Sequence, residues 1–216
     1  MKQYHKIQTV FKRDPETNFK KLLINEYSIP EFYYLNMNKW VFTEKVDGTN
    51  IRVVCRPLRN GHYDVTFKGK TDNASIPAGL VKNLEDNFHN EKMIKKLISK
   101  LPNGACLYGE GYGAKIQNGG KYREDQGFVL FDVNIGGYWL NRSDVEDVAA
   151  ILGIDVVPVV GEGTLIDMVE IAKEGFSSRW GNFLSEGIVA RPKIELKTRG
   201  GERIITKIKY KDFNRD

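Results

Sequence analysis

The sequence has only two cysteines and three histidines, and no apolar run approaches the roughly 20 residues that a membrane-spanning helix requires. The first sixteen residues are too polar and charged for a secretory signal. No membrane partner is therefore expected. Cys55 and Cys106 each sit inside an apolar run, which favours buried thiols in a reducing compartment over a disulfide. The expected setting is cytoplasmic, that of a host cell if the gene is phage-encoded. His5, His62 and His89 are scattered, read as surface or structural, and no Cys/His spacing suggests zinc. Internal repeats, low-complexity segments and interdomain linkers are lacking too. A length of 216 residues suffices for one full core, so a single domain over 1–216 is expected, with two domains as the alternative.

What is present is an ordinary globular balance, 41% hydrophobic and 28% charged, with a formal net charge of +5 and a sequence pI near 9.0. A basic surplus suits a polyanionic partner, because Lys and Arg that neutralise phosphates release counterions. It becomes informative only where the charge falls on motifs. The opening, to about Pro30, is mixed and shows no clear period. Residues 40–45 and 51–56 are rich in aromatic and β-branched residues and predict strands. Asn60-Gly61 signals a type I′ hairpin, with 63–68 as the returning strand. Apolar residues near helical spacing predict a helix over 78–101, ended by Pro102-Asn103-Gly104. Further strands are expected over 105–110, 127–135, 138–140, 156–160, 187–191 and 203–210. Helices are expected from Ser143 to Leu152 and from Thr164 to Lys173. The pattern is α+β with mostly antiparallel sheet.

The chemistry centres on Thr43-Glu44-Lys45-Val46-Asp47-Gly48-Thr49-Asn50. A lysine just past a strand, followed by Asp and Gly, can act as a covalent nucleophile once desolvation or neighbouring cations favour its neutral amine. Gly48 would let the backbone approach a phosphate. The plain alternative is a surface turn. Likewise Phe131 alone reads as core, Glu110 and Glu186 as solvated strand ends, and Lys207, Lys209 and Lys211 as an exposed or protected strand edge.

Taken together and in order, these elements resemble the covalent nucleotidyltransferase superfamily, which contains polynucleotide ligases and mRNA capping enzymes. Lys45 to Gly48 matches its nucleophile motif and Tyr108-Gly109-Glu110 its third motif. Phe128 to Val133 matches the following one, Ser185-Glu186-Gly187-Ile188-Val189 the fourth, and Lys207-Ile208-Lys209 the fifth. Within the superfamily the chain is most similar to the RNA ligase 2 family. Asn50 stands where DNA ligases and capping enzymes usually carry Arg. Gly109 to Gly113 followed by Ile116-Gln117 resembles that family's extended third motif, and Tyr4 to Lys6 its N-terminal element. Gly69-Lys70-Thr71 resembles the segment that brings a basic residue to the nucleotide phosphates, although Arg is more usual there and Lys70 lacks its bidentate fork.

The resemblance implies a nucleotidyltransferase (ligase adenylation) fold of antiparallel sheets flanked by helices. It implies a reaction in which Lys45 attacks the α-phosphate of ATP and carries AMP. The AMP then passes to a polynucleotide 5′-phosphate, which a 3′-hydroxyl attacks. Lys207 and Lys209 would touch the α-phosphate, the pair Lys209 and Lys211 being the alternative register. Glu186 would hold a divalent ion, magnesium or manganese. Glu110 would accept from the ribose, Phe131 would stack on adenine, and Asn50 and Lys70 would line the nucleotide. Glu44 would orient the base or the lysine. RNA, as a nicked duplex or as ends, is the expected substrate, and a monomer the expected state. A DNA ligase core and a non-catalytic nucleic-acid-binding relative are the rival readings. The chain ends just after the fifth motif, so no C-terminal OB-like or accessory domain is expected within it.

Overall fold

Segments rich in β-branched and aromatic residues become the strands of three sheets, which the chain distributes between two units. The computed structural model describes residues 3–59 and 62–214. A flanking unit comprises His5–Val46 and the chain from Pro158 onward; a central unit comprises Asp47–Val157 with the N-terminal residues through Tyr4. Each unit has its own hydrophobic core.

The flanking unit begins with β1 (Gln8–Thr9), β2 (Phe11–Arg13), β3 (Leu22–Tyr27), the short helix α1 (Pro30–Tyr34) and β4 (Trp40–Glu44). The chain then builds the central unit from β5 (Thr49–Pro57), β6 (Tyr63–Lys68), α2 (Ala78–Phe88), α3 (Glu91–Lys100) and β7 (Ala105–Gly113). It continues there with β8 (Gln126–Ile135), β9 (Tyr138–Trp139), α4 (Arg142–Leu152) and β10 (Asp155–Val156). It returns to the flanking unit as β11 (Val159–Gly163), α5 (Leu165–Glu174), β12 (Gly187–Pro192) and β13 (Thr206–Lys209).

The central sheet runs β10-β8-β7-β5-β6, with β9 paired to β8; the larger flanking sheet runs β1-β13-β12-β4-β11. Only β10 on β8 and β1 on β13 are parallel in these two sheets. The class is α+β with mostly antiparallel sheet, as the sequence predicts. In the central unit one sheet face is apolar. Ile51, Val53, Leu107 and Leu130 pack there with Leu80 and Leu84 of α2, Leu97 of α3 and Ala149 of α4. In the flanking unit Phe42, Ile188, Ala190 and Ile208 pack with Leu165, Met168 and Ala172 of α5. Deleting one such leucine side chain costs about 2–5 kcal/mol, so either core alone can decide folding.

The structure departs from the sequence expectation where local hydrogen bonding overrides periodicity. The single helix over 78–101 is two helices. Asn90 terminates α2, donating to the carbonyls of Asp86 and Asn87 at 3.0 and 2.9 Å, and starts α3 by accepting from Met93 N at 2.9 Å. Asn141, not Ser143, caps α4, accepting from Asp144 N at 3.0 Å. The strand over 156–160 is divided between β10 and β11 because the chain leaves the central unit at Val157. The strand over 203–210 forms a ladder only along β13, Arg203 making an isolated bridge to Lys197, and Tyr210–Asp212 turns into a 3-10 helix. Asn60-Gly61 lies outside the described residues, although β5 and β6 do pair antiparallel up to Pro57 and Tyr63.

The thiols fall out of the chemistry. Cys55 pairs with Ala105 and Cys106 with Val54, so pleating sends the two side chains to opposite faces. Both are buried and free. Burial pushes the Cys55 thiol up to about 12 and the Cys106 thiol upward as well, so neither is a thiolate near neutral pH. Among the described residues, no helix is long and apolar enough to cross a membrane.

Candidate active site

The flanking sheet has a charged face opposite its core. Along β4 the residues Trp40, Phe42 and Glu44 are buried, and Val41 and Thr43 alternate with them. Lys45 continues the second set and leaves the strand end on the charged side. Its backbone is fixed by Lys45 N donating to Gly187 O at 2.9 Å. On β13, Lys207 lies opposite Val189 and Lys209 opposite Gly187, so both lysines project from one face. Glu186 precedes β12 and stands between two ammonium groups: Lys45 Nζ is 2.5 Å from its Oε2 and Lys209 Nζ 2.5 Å from its Oε1. Lys45 Nζ also lies 3.4 Å from its own neighbour's carbonyl, Val46 O. The three side chains are 19%, 10% and 23% exposed for Lys45, Glu186 and Lys209, sheltered enough to strengthen the pairing yet open to a ligand. Lys45 and Lys209 against the one carboxylate of Glu186 leave a formal surplus of positive charge at this bridge, which suits an added phosphate. Lys211 lies beyond the strand, exposed in the 3-10 turn, and does not share this alignment.

The lysine-orienting alternative expected of Glu44 is not supported by its placement. Glu44 is 1% exposed on the core-side set of β4, turned from Lys45 by the pleat, and its Oε2 accepts from Arg179 N at 2.8 Å. Its geometry anchors the segment before Glu186; it does not reach toward the lysine amine.

The central sheet also has a polar face. Asn50 pairs directly with Glu110, and Arg52 with Tyr108, so these four side chains share one face. Asn50 Oδ1 is buried without a hydrogen-bond partner among the described residues. Phe131 sits at a β-bulge, since Tyr108 pairs with Asp132 while Gly109 pairs with Leu130. Phe131 alternates away from the core residue Leu130, the bulge keeps Asp132 beside it, and Phe131 is half-buried 5.0 Å from the Tyr4 ring, edge to face. Tyr4 in turn donates its hydroxyl to the buried Asp132 at 2.7 Å, which ties the N-terminal element to the same face. Lys70 is exposed in the loop after β6.

Packing explains the glycines of the motifs. A Cβ on Gly48 would lie 2.3 Å from Gly111 O and 2.8 Å from Glu110 Cγ. Its observed close approach is thus to β7, a reason the sequence reading did not supply. A Cβ on Gly109 would lie 2.3 Å from both the Phe128 ring and Val129 O, and one on Gly111 2.3 Å from Leu80 Cδ2. Glycine at 109 and 111 lets β7 lie flush on the core while Glu110 projects the other way. Gly109→Ala is expected to destabilise the protein by about 1–3 kcal/mol. Urea unfolding followed by tryptophan fluorescence checks this, and an unchanged midpoint would contradict the packing account.

Sequence reasoning gives Asp47 no partner and misses Asp212 and Arg52. Asp47 accepts from Asn118 Nδ2 at 3.0 Å, Asp212 caps the end of β13 and pairs with Arg13 at 2.9 Å, and Arg52 is wholly buried. Only long-range pairing reveals them. Among the described residues no cluster of three or more His, Cys, Asp or Glu forms a protein-built metal cage. Glu186 alone fits a divalent ion of the kind that takes one carboxylate and completes its shell with water and substrate phosphate.

The RNA ligase family profile matches residues 38–210, and the chain belongs to the RNA ligase family. Among solved structures, it is similar to Naegleria gruberi RNA ligase. An apo aspartate-to-alanine mutant of that enzyme superimposes with a TM-score of 0.62 at 18% identity, covering 95% of this chain and 56% of that one. A lysine-to-methionine mutant with AMP and Mn gives 0.62 at 18% identity, covering 94% and 56%. A lysine-to-alanine mutant with ATP and Mn gives 0.61 at 18% identity, covering 93% and 54%. The chain therefore spans just over half the length of that ligase, and the likeness at this identity is one of fold. No curated protein sequence matches the chain.

Proposed function

We propose that the chain catalyses ATP-dependent RNA ligation through a lysyl-AMP intermediate on Lys45. The observation that carries this reading is the bridge from Lys45 through Glu186 to Lys209, which puts a nucleophile, an anion and a second cation on one sheet face. The neutral Lys45 amine attacks the α-phosphorus of ATP, forming a P–N bond as the bond to pyrophosphate breaks and the amine gives up its proton. A polynucleotide 5′-phosphate then takes the adenylyl group, releasing Lys45. A 3′-hydroxyl attacks that activated phosphate, forming the phosphodiester and expelling AMP.

Negative charge gathers on phosphate oxygens throughout, so fixed cations do most of the catalytic work. Lys209 and Lys207 supply them; their shared strand face supports this pair over Lys209 with Lys211. Lys70 would add a further contact to the phosphates. Glu110 would accept from the ribose hydroxyls, and Phe131, turned from the core, would stack on the adenine. The unsatisfied Asn50 Oδ1 supports a ligand hydroxyl or amine donating there. A divalent ion held by Glu186, magnesium or manganese, would supply Lewis-acid stabilisation of the phosphate oxygens. The ATP and manganese complexes of the Naegleria enzyme support nucleotide and metal of this kind. The RNA acceptor, as nicked duplex or free ends, is supported by family membership, and a monomer suffices for the chemistry.

The test is direct. The chain is incubated with α-labelled ATP and manganese, denatured and resolved by electrophoresis. Covalent label that is chased off by excess pyrophosphate is expected; absence of label with ATP would refute the reading. Sealing is then compared on nicked RNA, nicked DNA and single-stranded RNA, with nicked RNA or RNA ends expected to be preferred.

A further inference from the structure

Arg52 is the least expected residue of the central sheet. It lies in the middle of β5, between Ile51 and Val53 of the core, and is 0% exposed. Enclosing a guanidinium costs several kcal/mol, and an apolar side chain in its place is commonly neutral or better for stability. Sheet stability is therefore a poor reason for an arginine here. Its bonds all go one way. Nε donates to Gly69 O at 3.0 Å and Nη2 to Asp72 Oδ1 at 2.8 Å, while Nη1 has no partner among the described residues. Lys68 Nζ joins the same Asp72 oxygen at 3.3 Å. The Arg52 hydrogen bond, and after it Lys68, hold the Asp72 carboxyl below the ordinary carboxylate range.

The loop so gripped is short and folds closely on itself. A Cβ on Gly69 would meet the Ala74 side chain at 2.8 Å, and Ala74 N donates back to Thr71 O at 3.3 Å. One buried side chain thus fastens residues 69 and 72, on either side of Lys70. Lys70 itself is exposed and makes no hydrogen bond or ion pair with the described residues. Tethering the chain on both flanks of an exposed cation, by the Gly69 carbonyl and the Asp72 side chain, is the arrangement expected where its position, not its packing, matters.

We propose that Arg52 is a positioning residue which, through Asp72 and Gly69, presets the 69–72 loop so that Lys70 meets the nucleotide phosphates. The inference rests on the reading above in which Lys70 contacts those phosphates. A lysine at 52 would have one ammonium in place of the fork and would lose one of the two tethers.

Asp72 is largely exposed, so Asp72→Asn tests the tether without disturbing the core. Binding of α,β-methylene-ATP, which cannot be cleaved at the α-phosphate, is measured by calorimetry on the whole chain. Wild type, Lys70→Ala, Asp72→Asn and the double variant are compared. Lys70→Ala is expected to weaken binding about tenfold and Asp72→Asn about fivefold, with the double variant no weaker than Lys70→Ala. Arg52→Lys should follow Asp72→Asn, and the Asp72–Lys70 cycle decides the matter if Arg52→Lys fails to fold. Multiplying effects in the double variant, or unchanged binding in either single variant, would overturn the proposal. Intact coupling in a chain that never acquires covalent AMP would instead refute the lysyl-AMP reading and leave this one standing.

Discussion

Lys45→Ala is expected to abolish covalent labelling by ATP, at least a thousandfold below wild type, while leaving the chain folded. Removal of a covalent nucleophile leaves no alternative route to the adduct, so the loss should be as large as the assay can resolve. Folding should survive because Lys45 lies past the end of β4 and its backbone bond to Gly187 does not depend on the side chain. Glu186 would keep Lys209 as its counter-ion. Lys45→Arg is the sharper companion: it preserves the positive charge beside Glu186 but offers a guanidinium in place of an amine. It should retain near-normal thermal stability and still form no adduct. The adduct surviving in either variant would move the nucleophile elsewhere, and the other lysines of the charged face would be the first to replace in turn.

The same residue shows how far a sequence can be read. The segment proposed to carry the nucleophile is legible as a strand end because its elements are local: strand, lysine, aspartate, glycine. Lys207 and Lys209 are legible because strand alternation alone puts them on one face, and β13 has that alternation. For Glu44 the pleat decides only the lysine half of the expectation: direction reverses at each residue, so adjacency to Lys45 implies the opposite face. Phe131 turns from the core by alternation after Leu130, but the bulge that keeps Asp132 beside it depends on the register of β7 against β8, which no single segment carries. Arg52 was passed over because a charged residue within an apolar run looks like an exposed position until its partners, 17 and 20 residues away, are known. The break at Asn90 was hidden because the apolar spacing carries on through both helices while the capping bonds that divide them leave no periodic trace.

Glu186→Ala is expected to slow lysyl-AMP formation by about 10²–10³, the loss typical of removing one preorganised electrostatic contact. The argument begins with the ion bridge. Both carboxylate oxygens are occupied, one by each of Lys45 and Lys209 at 2.5 Å. Removing the anion leaves two ammonium groups facing each other, so the amine is pushed off line and the phosphate face loses its organisation. Partial solvent access softens the repulsion, and the unfolding midpoint should fall by only a few degrees, about 1 kcal/mol or less. Glu186→Gln separates the two jobs assigned to this carboxylate. It keeps the shape and one acceptor but loses the charge. If Glu186 also holds a divalent ion, that ion must take the place of one ammonium, and Glu186→Gln should raise the half-saturating manganese concentration about tenfold or more. If it only orients Lys45, the manganese dependence will be unchanged and the rate alone will fall. A titration of manganese against single-turnover adduct formation in wild type and Glu186→Gln distinguishes these outcomes. We expect the manganese shift, because a lone carboxylate sheltered among cations and facing a phosphate site is more than a lysine needs to be held in place.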